Sequence, residues 1–575
     1  MKTFGKLFLC LALSLSAFSA ESQPEDWTQT LAQRGELRFG FVETDASRIA
    51  ELSRIVSIDR RKDSLYTAYA NQEEFARFLA LGYQPLEVAE PAAKAGIEMA
   101  STVEEMQEWN RYPTYAVYLE MMEAFAANHP GLCRIDTIGS SVKGRLILCL
   151  RLCGEVENQE ELPGFFYSSS IHGDELTGFV LMLRLADYLL ERYGSDEEAT
   201  RLLDGMQIYI NPLSNPDGAY ATSDNSVSGA TRYNANRVDL NRNYPDFWAG
   251  NPVTIQKENQ AMMDYVQAHE FVMSVNIHGG SDVLNFPWDG FTSARKKHAD
   301  YDWWTQVSKR YVDSCRLIDA TAYRDVNADG YVDGGDWYVV NNGRQDYMNA
   351  YRHVREQTLE ISVTKMPASS RLPSFWDINR RSLINYMKEA LYGIRGRVCD
   401  SLSGEPLRAL VTLENHDKDS SQVYGSALHG MFYRPMAAGR YDLRFSAPGY
   451  VDKVVSGVEV RDFSAVECNV LLARVPQQDT TGGGDTVANR FLESVSDYRI
   501  SPNPAQDHLV VEADFPFAVR AVYAVSGREM KRTGTGREQW ANRHELRVSS
   551  FAPGIYIVEV RAQSGQVRRL KFIKF

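Results

Sequence analysis

The stretch FFYSSSIHGDELTGFVLMLRLADYLL, residues 165–190, changes its texture halfway along. Its first part is strand-like and its second is an apolar helix, with His172 and Glu175 at the junction, three residues apart. A strand end feeding a helix start is where α/β proteins gather their ligands. Zinc takes nitrogen and oxygen donors at about 2.0–2.2 Å and keeps a position open for water, and a His and Glu at i, i+3 reach one ion from one turn. A lone His-x-x-Glu arises by chance, so a third donor is required. HEFVMSVNIHGGSDVLNFPWD (269–289) supplies one: an apolar strand ending at His278, just before two glycines.

Working outward, residues 99–392 alternate β-rich runs with amphipathic helices such as SFWDINRRSLINYMKEALYGI (374–394). That alternation predicts an α/β domain with a mixed, mostly parallel sheet covered by helices. Residues 21–98 precede it, and within them ELRFGFVE, IVSIDRR and SLYTAYA, with the helix-like NQEEFARFLALGY, predict a small α/β unit ending in a Pro/Ala-rich run. Residues 393–473 change to short strands between turn residues, as in GIRGRVCDSLSGEPLRALVTLE, and predict a small β-sandwich. Residues 474–490 contain QQDTTGGGDT, a flexible linker, and residues 491–575 are again all β.

The chain has 575 residues, too many for one core, so roughly three to five units are expected. A net charge of −13 argues against nucleic acid as a partner. MKTFGKLFLCLALSLSAFSA (1–20) has two lysines, an apolar centre and small residues at its end, the pattern of a secretory signal cut after Ser19 or Ala20. No other run of about 18 apolar residues follows, so no transmembrane segment is expected. Of seven cysteines, six lie beyond the signal. Their spacing fits no zinc finger; Cys399 and Cys468 either bridge the ends of one small domain or stay as free buried thiols.

The motifs resemble those of the zinc metallocarboxypeptidases, the carboxypeptidase A/B family, and especially its regulatory branch containing carboxypeptidases N, E and D. They are IHGDE (171–175), TRYNANRVDLNRNYPDFW (231–248), NIHGG (276–280), WYVVNNGRQDY (337–347) and TLEISVTKMP (358–367), in the family's order. The resemblance implies a metallocarboxypeptidase fold holding one zinc ion on His172, Glu175 and His278, with Asp239 orienting the first histidine. It implies Arg232 as the group on the scissile carbonyl, Asn241 and Arg242 as the grip on the substrate's terminal carboxylate, and Tyr338 as the side chain closing over it. Glu360, 22 residues after Tyr338, matches the general base. Asp289 is the eleventh residue after His278, where an acidic residue makes the pocket prefer a terminal Lys or Arg, and Gln345 lines the same pocket. Two departures concern the surroundings: Asp174 stands where the branch usually has asparagine, and Asn349 where it has tyrosine.

DVNADGYVDGGD (325–336) spaces oxygen donors as a calcium loop does, predicting Ca2+ on Asp325, Asn327, Asp329, Asp333 and Asp336 with the Tyr331 carbonyl. Residues 393–473 resemble the transthyretin-like sandwich of the regulatory branch. The final segment resembles a type IX secretion C-terminal sorting domain, through ISPNPAQDHLVV, GIYIVEV and LKFIKF. Residues 21–98 stand in the place of a propeptide, with a binding or folding module as the other reading. Together these imply a secreted or cell-surface enzyme, exported through periplasm and outer membrane by the type IX machinery, releasing Lys or Arg from peptides and proteins. The other readings are the same fold acting on peptidoglycan peptides, or a catalytically silent surface-binding protein.

Overall fold

The computed structural model describes residues 27–88, 96–156, 161–250, 253–476, 498–501, 505, 507–524, 529–532, 540–551, 554–562 and 567–574. The expected signal and most of the expected linker lie outside these residues. Residues up to Arg474 form one compact unit and those from Val475 a second.

The N-terminal part of the first unit is a three-stranded antiparallel sheet of β1 (Leu37–Val42), β3 (Leu65–Ala70) and β2 (Ser57–Lys62), in that order. Its core is aromatic, with Phe39, Phe41, Phe75 and Phe78 buried together. The helix Gln72–Ala80 begins at a capping box of Asn71 and Glu74, which satisfies its first amides.

The central domain carries an eight-stranded sheet, built in chain order from β4 (Cys133–Ser140), β5 (Leu146–Leu152), β6 (Gly164–Ser169), β7 (Gln207–Asn211), β8 (Phe271–His278), β9 (Ser281–Phe286), β10 (Tyr331–Asp333) and β11 (Arg355–Ser362). The spatial order is β10-β9-β11-β8-β6-β7-β5-β4. The middle pairs β11–β8, β8–β6 and β6–β7 are parallel, while β9–β11, β7–β5 and β5–β4 are antiparallel, so the sheet is mixed as the sequence predicts. Every residue of β6, β8 and β11 is buried, as parallel strands covered on both faces require. Successive residues serve opposite layers: Phe165 and Tyr167 pack with helices α1 (Thr177–Arg192), α3 (Tyr301–Arg316) and α5 (Leu372–Lys388), and Phe166 packs with α2 (Lys257–Ala268) and α4 (Arg344–Arg352).

Register then places the chemistry. His278 pairs with Glu360 across β8 and β11, and Ile277 pairs with Ser169 at the end of β6. The carboxyl ends of three neighbouring parallel strands therefore open on one edge of the sheet, and the junction at residues 170–176 crosses it.

Residues 393–473 form a β-sandwich with its own core, including Val398, Val411, Phe432, Leu443 and Phe445. Cys399 and Cys468 are both free and buried in it. The sandwich is tied to the central domain by a buried ionic node. Asp300 accepts from Arg355 at 2.8 Å and from Arg434 at 2.6 Å, Arg434 also reaches Asp417 at 2.6 Å, and His416 lies 2.8 Å from Asp300. Asp300, His416 and Asp417 have donor atoms close enough for an ion, but two guanidiniums already neutralise them.

The second unit is built on the long strand His508–Ala524, which pairs antiparallel with Ala541–Arg547 and Gly554–Ala562. Among the described residues, no helix is long and apolar enough to cross a membrane.

Candidate active site

His172 sits just past the end of β6, in a turn that Ser170 opens with a φ of 58°. Its Nδ1 lies 3.0 Å from Glu175 Oε1 and 3.1 Å from His278 Nδ1, and His278 Nδ1 lies 2.8 Å from Glu175 Oε2. Two imidazole nitrogens and a carboxylate, all buried, thus converge on one point. The outer faces of the rings are held as metal ligands need. His172 Nε2 lies 3.0 Å from Asp239 Oδ1, an acceptor that keeps the proton on that nitrogen and frees Nδ1. The Asn276 carboxamide lies 2.8 Å from His278 Nε2 while its own Oδ1 has no partner. Turned over, that oxygen accepts from Nε2–H. The donor set fits a zinc ion.

Electrostatics agree. Burial alone would raise Glu175, but His172, Lys365 and His278 hold it well below the usual carboxylate range. Burial likewise opposes ionisation of Asp239, and Arg232 and His172 overcome it. Burial drags His278 down to about 4, so its ring is neutral and ready to ligate.

Glu360 faces this point from β11. It is buried, its Oε2 has no partner, and burial together with the charges of Glu175 and Asp59 pushes its pKa well up. Arg232, only 2% exposed, donates to Glu175 at 3.2 Å and to Asp239 at 3.1 Å. Arg242 and Asn241 follow Asp239 on one short turn that the Asp239 carboxylate caps at Asn241 N. Asn241, Arg242, Tyr338, Asp289 and the three convergent donors all line one cavity, so the central domain brings together every residue expected of the zinc site and its substrate grip.

Asp289 closes one end of the cavity. Its Oδ1 accepts from Asn285 Nδ2 at 2.8 Å and Gln345 Nε2 at 2.7 Å, which aims the carboxylate. Burial and the neighbouring Asp346 push its pKa well up. Among the described residues no lysine or arginine forms an ion pair with it.

The structure gives the calcium loop no support. Asp325 pairs with Arg60 at 2.5 Å, and Asn327 bonds Gly330 N and the Tyr331 carbonyl, the oxygen an ion would take. Asp336 accepts from Ser293, Asp329 is exposed, and Asp333 is buried with both oxygens unpaired, near Asp346 and Asp289. The five side chains therefore face different ways. The glycines are used for packing: a Cβ on Gly334 would fall 1.9 Å from Asp289 Oδ1, and one on Gly335 1.9 Å from the Phe291 carbonyl.

Four groups were not legible in the sequence. Lys365, five residues past Glu360, is buried with Nζ 3.1 Å from Glu175 and 2.8 Å from Asp59. Asp59 also lies 3.0 Å from Arg232 Nη1. Ser57 bonds Asp239 and accepts from Arg232 Nε at 3.0 Å. Glu36 accepts from the amides of Arg232 and Tyr233 at 2.9 and 3.0 Å. Three of them belong to the N-terminal unit, whose strand β2 also offers the Ile58 carbonyl to Arg242 at 2.7 Å and the Asp59 carbonyl to the Tyr338 hydroxyl at 3.2 Å. With β2 there, the cavity measures about 30 Å³, the share of one water.

Residues 118–382 match the family model described as zinc carboxypeptidase. Carboxypeptidase M of Mus musculus is 32% identical over 403 residues, a match covering 67% of this chain and 89% of that protein. The chain belongs to the zinc carboxypeptidase family. Carboxypeptidase D of Mus musculus is 31% identical over 379 residues, 64% of this metallocarboxypeptidase but 27% of that longer protein. Carboxypeptidase A of Helicoverpa armigera matches structurally with a TM-score of 0.44 and 15% identity, covering 61% of this chain and 98% of that one. Residues 393–473 match the carboxypeptidase regulatory-like domain and residues 499–574 the secretion system C-terminal sorting domain. The sorting domain directs the metallocarboxypeptidase through type IX secretion to the cell surface or beyond.

Proposed function

We propose that this exported metallocarboxypeptidase removes Lys or Arg from the C-termini of peptides and proteins. The observation that carries the reading is Asp289, 4% exposed, aimed by Asn285 and Gln345 and in no ion pair among the described residues, the charge of Arg242 acting on it only from a distance. A buried carboxylate in that state is costly to ionise alone and gains most from a cationic side chain entering beside it.

In this reading Asn241 and Arg242 grip the terminal carboxylate, the guanidinium supplying the planar fork that a carboxylate matches, and Tyr338 closes over it. That grip presents the last peptide carbonyl to Arg232, which steadies the oxygen as negative charge develops. His172, Glu175 and His278 would hold a zinc ion, which would supply Lewis acidity to the carbonyl and lower the pKa of a water. Glu360 takes the proton from the attacking water and delivers it to the departing amine.

The N-terminal unit is read as a propeptide. Strand β2 sets backbone carbonyls against Arg242 and Tyr338 and a carboxylate against Arg232, the groups assigned to substrate. The enzyme is expected to act once the unit is displaced.

Hydrolysis of paired blocked dipeptides ending in Arg, Lys or Phe, with and without a zinc chelator, tests the reading. Chelator-sensitive release of Arg and Lys with Phe nearly untouched supports it. Preference for Phe by the fully processed enzyme removes the role given to Asp289.

A further inference from the structure

Away from the active site, the central domain and the β-sandwich flank a second, partly open cavity of about 240 Å³. The ends of α2 and α4 and the start of β8 form one wall, and the strands Val423–Tyr424 and Met431–Arg434 form the other. Two arginines line it, Arg352 from the last turn of α4 and Arg408 from the sandwich.

Neither has a carboxylate partner among the described residues. Arg352 spends one N–H on the Val266 carbonyl at 3.3 Å, and its Nε is buried without a partner. Arg408 lies over the Tyr424 ring, 5.2 Å from its centre, which steers the guanidinium without neutralising it. The field is positive enough to register on His353. Burial first, then Arg355, Arg352 and Arg408, drag that imidazole down to about 4 while its Nδ1 bonds the Ser420 carbonyl. Glu270 is the single carboxylate on the described wall, and it lies 3.5 Å from His429 Nε2 rather than at either arginine.

Arg352, half-buried with its Nε unpartnered, is costly to hold partly out of water, and the nearby charge of the exposed Arg408 adds to that cost. The group that relieves both is a tetrahedral oxyanion, which matches the planar forks with paired charge-assisted hydrogen bonds. We propose that this interdomain cavity binds a phosphate or sulfate group, seated between Arg352 and Arg408. The volume is several times a water's share of about 30 Å³, so the site takes the oxyanion together with a small carrier such as a sugar. Tyr351, Tyr424 and Tyr433 line the space where that carrier lies.

The test is calorimetric titration of the full chain with inorganic phosphate, inorganic sulfate and glucose 6-phosphate, against chloride at matched ionic strength. Saturable binding of at least one oxyanion is expected, weakened at least about tenfold by Arg408→Ala. Arg408 is exposed, so this variant should keep its fold, checked by an unchanged thermal melt. Arg352→Lys keeps the charge but loses the fork, and it should weaken binding as well. Tighter binding of the sugar phosphate than of phosphate assigns the site to an ester, and the reverse order to the free ion. No saturable binding, or equal binding by wild type and Arg408→Ala, overturns the proposal.

Discussion

Asp59, on the N-terminal strand β2, reaches into the active site and holds Arg232, carboxylate to Nη1 at 3.0 Å. The same carboxylate takes Lys365 at 2.8 Å, so one side chain engages two buried cations beside the zinc ligands. Those two cations hold Asp59 ionised although burial opposes it. Asp59→Ala removes this charged hold and leaves the backbone contacts of β2. The full-length chain should become more active on a blocked dipeptide ending in Arg, by about tenfold for each 1.4 kcal/mol of hold removed. An unchanged kcat/KM would show that the unit does not restrain the enzyme through this residue.

Asp289→Asn keeps the hydrogen bonds of the pocket end but removes its charge. Leaving a cationic substrate side chain unpaired in a buried site costs about 2–5 kcal/mol. The kcat/KM for Arg and Lys substrates should fall accordingly, while that for Phe stays within a few-fold. Equal losses on Arg and Phe would mean a damaged pocket rather than a lost ion pair.

Glu360→Gln separates the proton carrier from the zinc site. The residue makes no hydrogen bond through Oε2, and the amide is isosteric, so folding and zinc content should be unchanged. Removing a general base costs about 10²–10⁴-fold in rate, and the loss should fall on kcat rather than KM. Zinc measured by mass spectrometry at one per chain, with kcat intact, would take the proton transfer away from Glu360.

The strand-end histidines were legible because a His just past an apolar run, repeated at 172 and 278, is a local pattern. The role of Glu360 was legible only through resemblance, and its pairing with His278 not at all, since register is set by packing along the whole sheet. Asp59 gave no signal at all: it is one residue of an ordinary strand, and its partner Arg232 lies 173 positions away. The calcium loop lacks support for a related reason. Spacing counts oxygens, but the direction of each side chain is decided by Arg60, Ser293 and the close packing of Gly334 and Gly335.

Asp333 gives a pH signature. Burial first, then Asp336 and Asp346, push its pKa up to about 8. An unfolded aspartate ionises near 3.9, so between these values the folded chain keeps a proton that the unfolded chain releases. The contribution is therefore fully present below about 4 and lost as pH rises towards 8. Asp333→Asn removes the penalty, and its stability gain should grow from pH 5 to pH 8 to a few kcal/mol. Parallel thermal melts of both proteins at pH 5 and 8 read the difference. A gain that does not change with pH would mean that Asp333 titrates normally.

The Asp300–Arg434 pair decides how the sandwich is held. Both side chains are fully buried, and Arg434 reaches Asp300 at 2.6 Å from across the domain boundary. Arg355, on the central domain, shares the same carboxylate at 2.8 Å. Arg434→Met leaves Asp300 answered by Arg355 but strands Asp417, whose ionisation Arg434 supports against burial. Breaking a buried pair from one side costs about 3–5 kcal/mol, a large part of a domain's stability. No tryptophan lies in residues 393–473 and eight of the nine precede them, Trp540 being in the second unit, so with Trp540 replaced by Phe in both proteins fluorescence follows the central domain and the N-terminal unit while circular dichroism follows the whole chain. In urea, the Arg434→Met protein should show a dichroism transition ahead of the fluorescence transition, where the wild type shows the two together. Coincident transitions in the variant would mean that the hydrophobic contacts, rather than this pair, fasten the sandwich.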